Sequence, residues 1–289
     1  MPDARRSMSI RPRIAGLASA PMPTIEANGR ATAYEVDGAG PPLVLLHGAT
    51  GSGPAHFASL LPTLVDGFLC YLPDARGHGG TAWDAGESWT TADLVADLDG
   101  FVDTIGLSTF HLLGYSLGGM TALHYAARFP DRIRTLVAIS IAPEREPRLS
   151  VGRVLMDPDR IERDEPDWAA RLVARHDPSH GPGSWRRLLD AIVTDIAEQP
   201  LLTTGELRQI DAPTLVVAGD RDPFVPIPEA AGLARQVLDG RLLVLPDVGH
   251  DSLVEHVPIL AAALADFYRS TEVVARARAR DTSTMEVRS

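Results

Sequence analysis

Short apolar segments, many of them rich in β-branched residues, alternate along the chain with amphipathic segments of ten or more residues. Buried parallel strands give short apolar runs, whereas helices that cover a sheet have apolar positions three and four residues apart. The alternation predicts an α/β fold, with a mostly parallel central sheet flanked by helices. The predicted strands are 31–36, 42–48, 67–73, 110–115, 135–140, 213–219 and 241–246, and the predicted helices are 54–65, 91–105, 117–129, 228–238 and 254–269.

One long interval, residues 143–210, interrupts this alternation because no segment in it has the pattern of a strand. It contains helical segments such as EPDWAARLVARH and SWRRLLDAIVTDIAEQ. Connections within a compact domain usually have about two to six residues, and much longer ones often carry function. We therefore expect residues 143–210 to form a helical cap or lid, inserted between late strands of a core formed by residues 21–142 and 211–269.

The two ends of the chain are expected to lie outside this fold. Paired arginines and the short apolar stretch IAGLASA within residues 1–20 faintly resemble an export signal, but two further arginines and a proline interrupt the region. We interpret residues 1–20 as a flexible N-terminal arm. Residues 270–289, with the sequence ARARAR followed by polar residues, are predicted to form a frayed or disordered C-terminal tail.

Composition and charge exclude several classes of protein. No apolar run approaches the roughly 18 residues that a membrane-spanning helix needs, so no membrane partner is expected. The chain has 27 basic and 38 acidic residues, and its net charge of −11 opposes binding to the phosphates of nucleic acids. Cys70 is the single cysteine, which rules out an internal disulfide and agrees with a cytoplasmic location.

The stretch GYSLGG places Ser116 between glycines, at the junction of the predicted strand 110–115 and the predicted helix 117–129. A sharp turn between strand and helix presents a serine nucleophile in a strained conformation that neighbouring glycines permit. The same turn places the N–H of Leu117 at the helix N-terminus, beside any oxyanion that forms at the serine. Ser116 is therefore the predicted nucleophile, and Leu117 is a predicted oxyanion-hole donor.

A serine nucleophile requires a histidine base that a carboxylate orients. Of the nine histidines, His250 is the predicted base because the loop LPDVGHDS follows the last predicted strand and reaches the sheet edge that presents Ser116. The loop AGDRDPFVP, after the preceding strand, offers Asp220 and Asp222. We favour Asp222, which lies deeper in the loop, and expect Asp220 to stabilise the turn.

Five motifs extend this pattern: HGAT, DARGHGGT, GYSLGG, GDRDPFVP and the GH pair at 249 and 250. In these motifs and their order the chain resembles the α/β-hydrolase superfamily, over about residues 25–269. The order Ser116, Asp222, His250 matches the order of the catalytic triad in that superfamily. The resemblance also places the acid at the fourth position of GDRD, which is Asp222.

The resemblance further implies a second oxyanion-hole donor, the backbone N–H of Ala49, because Ala49 follows the His-Gly pair. Thr50, beside Ala49, and Met120, after the sharp strand-to-helix turn that carries Ser116 (the nucleophile elbow), are the predicted substrate-binding residues. One branch of the superfamily, related to menaquinone biosynthesis, usually has an arginine at the position of Met120. The methionine here argues against membership of that branch. The resemblance assigns a bracing role in the surrounding loops to His47, Asp74, Arg76 and His78.

A serine at the elbow predicts attack on a carbonyl carbon, whereas similar dehalogenases and epoxide hydrolases use aspartate at that position. We predict a serine hydrolase that cleaves a small-molecule carboxylic ester or lactone through an acyl-enzyme on Ser116. Its substrate is expected to be partly apolar and to bind under the cap. This chemistry requires no metal and no cofactor.

Within the same scheme a cofactor-free perhydrolase stays open, and two further alternatives remain. One is hydrolysis of a C–C bond in a vinylogous diketone, since hydrolases of that kind tend to use arginine and aromatic residues, and the predicted cap contains Arg145, Arg148, Arg153, Trp168 and Trp185. The other is a ligand-binding protein that keeps the α/β-hydrolase fold with a slow or silent triad.

Overall fold

The computed structural model describes residues 22–84 and 86–286. The arm predicted for residues 1–20 lies outside them. All seven predicted strands are present, with ends that differ from the prediction by at most two residues, together with one further strand at the start. The strands are β1 Thr24–Ala27, β2 Arg30–Gly38, β3 Pro42–Leu46, β4 Leu69–Pro73, β5 Phe110–Tyr115, β6 Ile133–Ile139, β7 Thr214–Gly219 and β8 Gly240–Leu245.

These strands form one sheet in the order β1-β2-β4-β3-β5-β6-β7-β8. β2 pairs antiparallel with β1 and β4, and every other neighbouring pair is parallel. Every residue of β5 and β7 is buried, which explains their continuous apolar sequences. The mostly parallel sheet confirms the predicted α/β class and brings the loops after β3, β5, β7 and β8 to one edge.

The strand β1 was not predicted because it has four residues and a mostly exposed surface. It forms a hairpin with β2 through Asn28 and Gly29, whose φ angles are 50° and 71°. Positive φ at both central positions is typical of a type I′ turn, for which Asn-Gly is the favoured sequence. The Asn-Gly pair was therefore the sequence signal for this hairpin.

Helices cover both faces of the sheet, and none in the described part of the chain is long and apolar enough to span a membrane. The helices are α1 Gly53–Phe57, α2 Leu61–Leu64, α3 Thr91–Thr104, α4 Leu117–Arg128, α5 Arg148–Leu155, α6 Pro158–Asp164, α7 Pro166–His180, α8 Ser184–Glu198, α9 Thr204–Leu207, α10 Ile227–Gln236, α11 Ser252–Glu255 and α12 Val257–Glu286. A 3-10 turn, Pro130–Arg132, precedes β6.

Two predicted helices differ from the observed ones. The predicted helix 54–65 is divided into α1 and α2, and the second begins beside Pro62, a residue that favours a helix start. The predicted helix 254–269 is divided at His256, and α12 then runs to Glu286. The segment predicted as a tail from residue 270 thus begins as a continuation of α12. Alanine and arginine, which alternate there, both favour helix.

Apolar side chains pack against both faces of the sheet. On one face α3, α4 and α10 contribute residues such as Val102, Leu123 and Leu233. On the other face the short helices α1, α2 and α11 and the first turns of α12 contribute residues such as Phe57 and Leu264. The sheet is therefore a rigid platform, and the loops at its carboxyl edge are fixed by the strands that precede them.

The helices α5 to α8 lie between β6 and β7, within the interval for which the sequence predicts a cap. They share an apolar cluster that includes Ile161, Leu172 and Trp185. Trp83 and Trp89, from the connection between β4 and α3, belong to the same cluster. These tryptophans join the inserted helices to the sheet domain beside the loop that follows β4.

Candidate active site

Ser116 lies in the turn between β5 and α4, with φ 52° and ψ −116°. This conformation is unfavourable for a residue with a side chain, and the surroundings hold it in place. A Cβ atom on Gly114 would clash with the carbonyl oxygen of Gly118, and one on Gly118 would clash with that of Leu46. The two flanking glycines therefore permit the close approach of strand and helix that presents the Ser116 hydroxyl.

Ser116, His250 and Asp222 form a continuous hydrogen-bonded chain. His250 Nε2 lies 2.9 Å from Ser116 Oγ, and His250 Nδ1 lies 2.8 Å from Asp222 Oδ2. The side chain of Asp222 is fully buried, and its other oxygen accepts the backbone N–H of Phe224 at 2.8 Å. A proton on Nδ1 directed at the carboxylate leaves Nε2 free to accept the serine proton.

The two aspartates of the loop after β7 have different partners. Asp222 contacts His250, whereas Asp220 is exposed and its Oδ1 accepts the backbone N–H of Val248 at 3.3 Å. Asp220 thus connects the loop after β7 to the loop that carries His250, which agrees with the turn-stabilising role predicted for it.

Sequence reasoning missed the groups that hold the His250 loop. Ser140 follows β6 with φ 52°, and its Oγ donates to the carbonyl oxygen of His250 at 3.0 Å. The Tyr115 hydroxyl donates to Asp251 at 2.7 Å. Tyr115 and Asp251 directly flank Ser116 and His250 in the sequence, and this adjacency was the only available signal.

The two predicted oxyanion-hole donors line the same cavity as Ser116. Leu117 is the first residue of α4, so its N–H has no partner within the helix. Within residues 22–84 and 86–286 neither this N–H nor that of Ala49 forms a hydrogen bond. Both donors are free to bind an oxygen atom in the cavity.

Buried histidines brace the loop that carries Ala49. His47 Nδ1 donates to the Gly48 carbonyl at 2.9 Å, and its Nε2 accepts the N–H of Ala75 at 3.0 Å. His78 Nε2 lies 2.9 Å from the Ala49 carbonyl oxygen. Burial lowers the pKa of His47 and of His78 to about 3, so both rings are neutral at physiological pH.

Asp74 and Arg76 are likewise bonded to the protein rather than exposed to the cavity. The Asp74 carboxylate accepts the N–H of Gly53 at 2.8 Å and that of Gly80 at 3.0 Å. Arg76 donates to both oxygens of Asp97, at 2.6 and 2.8 Å. These contacts fix the loop after β4 against α1 and α3, as the sequence prediction of bracing residues anticipated.

The cavity at the nucleophile has a volume of about 470 Å³. Thr50 and Met120, the predicted substrate-binding residues, both line it. The inserted helices contribute apolar side chains to the opposite wall, namely Leu155, Met156, Trp168, Ile192 and Ile196. A cavity of this size accommodates a small or medium organic molecule that is partly apolar.

No group of three or more histidine, cysteine, aspartate or glutamate side chains in the described ranges could hold a metal ion. The hydrogen-bonded serine, histidine and aspartate at the cavity are residue types that can carry out nucleophilic attack with proton transfer.

Comparison with known proteins finds hydrolases that are similar over most of the chain. A family model described as alpha/beta hydrolase fold matches residues 41–180, and one described as TAP-like protein matches residues 194–280. The chain is 28% identical to 2-hydroxymuconate semialdehyde hydrolase of Pseudomonas sp. (strain CF600), covering 87% of this chain and 95% of that protein. It is also 28% identical to pimeloyl-[acyl-carrier protein] methyl ester esterase of Chromobacterium violaceum, covering 80% and 96%.

Among solved structures, the enol-lactonase from Burkholderia xenovorans LB400 has the same fold. It superposes with a TM-score of 0.69 at 24% identity, covering 86% of this chain and all of that one.

Proposed function

Because the chain belongs to the α/β-hydrolase superfamily, we propose that it is a serine hydrolase that cleaves a carboxylic ester or lactone. The observation that carries this proposal is the chain of hydrogen bonds from Ser116 through His250 to Asp222, which begins at a cavity. Similarity to an esterase and to other hydrolases over most of the chain supports it.

In the first half of the proposed reaction, Ser116 Oγ bonds to the substrate carbonyl carbon while its proton moves to His250 Nε2. The carbonyl oxygen becomes an oxyanion, which accepts the N–H groups of Ala49 and Leu117. Asp222 holds the Nδ1 proton and stabilises the imidazolium. The imidazolium then protonates the leaving oxygen, the C–O bond breaks, and an acyl-enzyme remains.

In the second half, a water molecule transfers a proton to His250 Nε2 while its oxygen bonds to the acyl carbon. The same two N–H groups stabilise the second oxyanion. Its collapse breaks the bond to Ser116 Oγ, which recovers the proton from the imidazolium. The products are the free acid and a regenerated serine, and for a lactone both groups remain in one molecule.

The second candidate reaction is cleavage of a C–C bond in a vinylogous diketone. Arg148 and Trp168, from the inserted helices, line the cavity and supply the residue types that such hydrolases tend to use. Arg145 instead donates to the backbone carbonyls of Ile196 and Gln199. This candidate uses the same nucleophile and differs in the bond that breaks.

Hydrolysis of p-nitrophenyl acetate and butyrate tests the proposal. We expect turnover by the wild type, its loss in Ser116→Ala, and labelling of the wild type by a fluorophosphonate probe. Ser150→Ala, an exposed position on α5, is the control and keeps full activity. Absence of serine-dependent turnover and of labelling would instead favour the ligand-binding alternative, and turnover of a diketone but of no ester would favour C–C hydrolysis.

A further inference from the structure

Arg148, at the start of α5, lines the cavity beside the nucleophile although only 8% of its surface is exposed. In the ranges that the structure describes, its buried Nε has no hydrogen-bond partner and no carboxylate lies within ion-pair distance, although the negative charges of Asp195 and Glu229 act to raise its pKa. A buried cation without a paired anion costs several kcal/mol, so such a residue usually serves a purpose other than stability.

The nearest groups satisfy Arg148 only in part. With its amide oxygen directed at the guanidinium, Gln199 accepts from the two terminal nitrogens at 2.7 and 2.9 Å. Its amide nitrogen then donates to Thr91 Oγ, whose hydroxyl donates to Asp195 at 2.6 Å. A neutral amide thus stands between the cation and the aspartate, and the guanidinium keeps unused N–H donors.

The positive charge of Arg148 persists at neutral pH. Burial is the main cause that lowers its pKa, to about 10, which still leaves the guanidinium protonated. The negative charge of Asp195 is already engaged, because the carboxylate accepts both the N–H and the hydroxyl of Thr91, at 2.8 and 2.6 Å. A ligand carboxylate would therefore meet a cation whose neighbour Asp195 is already engaged by Thr91. Glu229, the other acid whose charge acts on Arg148, forms no ion pair with it in the described ranges.

Two of the other three arginines that line the cavity also lack an ion-pair partner in the described ranges. Arg160 is paired with Glu165 at 2.8 Å, but Arg171 and Arg175 form no ion pair within the described ranges. They lie four residues apart on α7, where like charges repel each other. The whole chain has a net charge of −11, whereas the cavity lining has four arginines against three acids, namely Glu165, Asp195 and Asp251. The cavity is therefore less acidic than the chain as a whole.

Resting on the proposed hydrolase activity, we propose that the natural substrate carries a carboxylate, which Arg148 binds while Ser116 attacks an ester or lactone carbonyl at the other end. Apolar side chains of the cavity, including Ile141 and Ile192, contact the spacer between the two groups. A guanidinium binds a carboxylate with charge-assisted hydrogen bonds, and this selects acidic esters over neutral ones.

Matched pairs of methyl esters test this specificity. Monomethyl glutarate is compared with methyl pentanoate and monomethyl adipate with methyl hexanoate, since each pair exchanges only a carboxylate for a methyl group. We expect the wild type to favour at least one acidic ester at least tenfold in kcat/KM. Arg148→Gln is expected to remove that preference, so that kcat/KM falls at least tenfold more for the acidic ester than for its matched neutral ester.

Two variants make the result specific. Arg153→Gln removes an exposed cation from the same helix and is expected to keep the preference. Arg148→Lys keeps the positive charge and is expected to retain part of the preference for acidic esters. A folding defect in Arg148→Gln therefore does not end the test. Wild-type hydrolysis without any acidic preference, or a preference that Arg148→Gln leaves intact, overturns this inference. Loss of all esterase activity would overturn the proposed function instead.

Discussion

The hydroxyl of Tyr115 donates a hydrogen bond of 2.7 Å to Asp251, joining the residue before Ser116 to the residue after His250. The Tyr115 ring also lies against the His250 ring, with 5.6 Å between centroids. One side chain thus connects the nucleophile elbow to the loop of the proposed base. We expect this connection, in addition to the direct contact, to help hold the serine and the histidine at their distance of 2.9 Å.

Replacing Tyr115 by phenylalanine removes this connection without removing the ring. A hydrogen bond to a charged group contributes about 1.5–3 kcal/mol, and about 1.4 kcal/mol corresponds to a tenfold change in rate. We expect Tyr115→Phe to lower kcat about tenfold with little change in KM, measured with p-nitrophenyl butyrate. Tyr125→Phe is the matched control, because that buried hydroxyl contacts Asp99 on the covered face of the sheet. Equal kcat in wild type and Tyr115→Phe would contradict a positioning role.

The assignment of the acid leads to a second prediction. Asp222→Asn keeps the shape of the side chain but no longer stabilises the imidazolium or holds the Nδ1 proton. We expect a loss in kcat of about a thousandfold or more. Asp220→Asn, in the same loop, keeps an oxygen that can accept the Val248 N–H and is expected to lose less than about fivefold in kcat, as judged from the modest net value of one exposed hydrogen bond. A larger loss of kcat in Asp220→Asn than in Asp222→Asn would reverse the assignment of the acid.

The sequence predicted the elements that depend on short-range patterns. The apolar run of β5, the glycines around Ser116 and the helix that follows lie within twenty residues, so one local pattern specified them. His250 and Asp222 were selected because parallel strands bring their following loops to one edge. These inferences needed the order of the elements and no detail of packing.

The role of the arginines in the insert could not be predicted in this way. Arg145, Arg148 and Arg153 are indistinguishable by residue type, yet the first contacts backbone carbonyls, the second lines the cavity and the third is exposed. Their environments depend on how α5 packs against α8. That packing is a tertiary feature, and the helical pattern of the insert contains no information about it.

The elbow glycines should be intolerant of even one added methyl group. Gly114→Ala places its Cβ against the carbonyl oxygen of Gly118. To relieve this clash, the backbone of β5 or of α4 would have to shift, and both are held by their packing. We expect a loss of about 1–3 kcal/mol in the free energy of unfolding, measured with urea. Gly232→Ala, in the middle of α10 with open space around it, is the control and should be neutral or stabilising, by up to about 1 kcal/mol. Similar midpoints for the two variants would contradict the tight packing of the elbow.

The buried histidines around the Ala49 loop predict sensitivity to acid. Burial lowers the pKa of His47, His56 and His78 from 6.5 to about 3 in the folded protein. Between these two values the unfolded chain binds more protons, so the folded state loses stability as the pH falls. Above about pH 6.5 the neutral histidines do not reduce the free energy of unfolding. Below that pH each buried ring lowers the free energy of unfolding by about 1.4 kcal/mol per pH unit.

Urea unfolding at pH 7.5, 6.0 and 5.0 measures this dependence. We expect the free energy of unfolding to change little with pH above about pH 6.5 and to decrease steeply below it. The slope of that decrease with pH should exceed the roughly 1.4 kcal/mol per pH unit that one histidine contributes. Asp74, whose pKa burial raises to about 6, acts in the opposite direction as the pH falls from 6, but it is one carboxyl group against several imidazoles. His176→Asn, which removes another ring whose pKa burial lowers to about 3, should reduce the slope by about 1.4 kcal/mol per pH unit. Stability that stays constant from pH 7.5 to 5.0 would contradict the neutral state of these histidines.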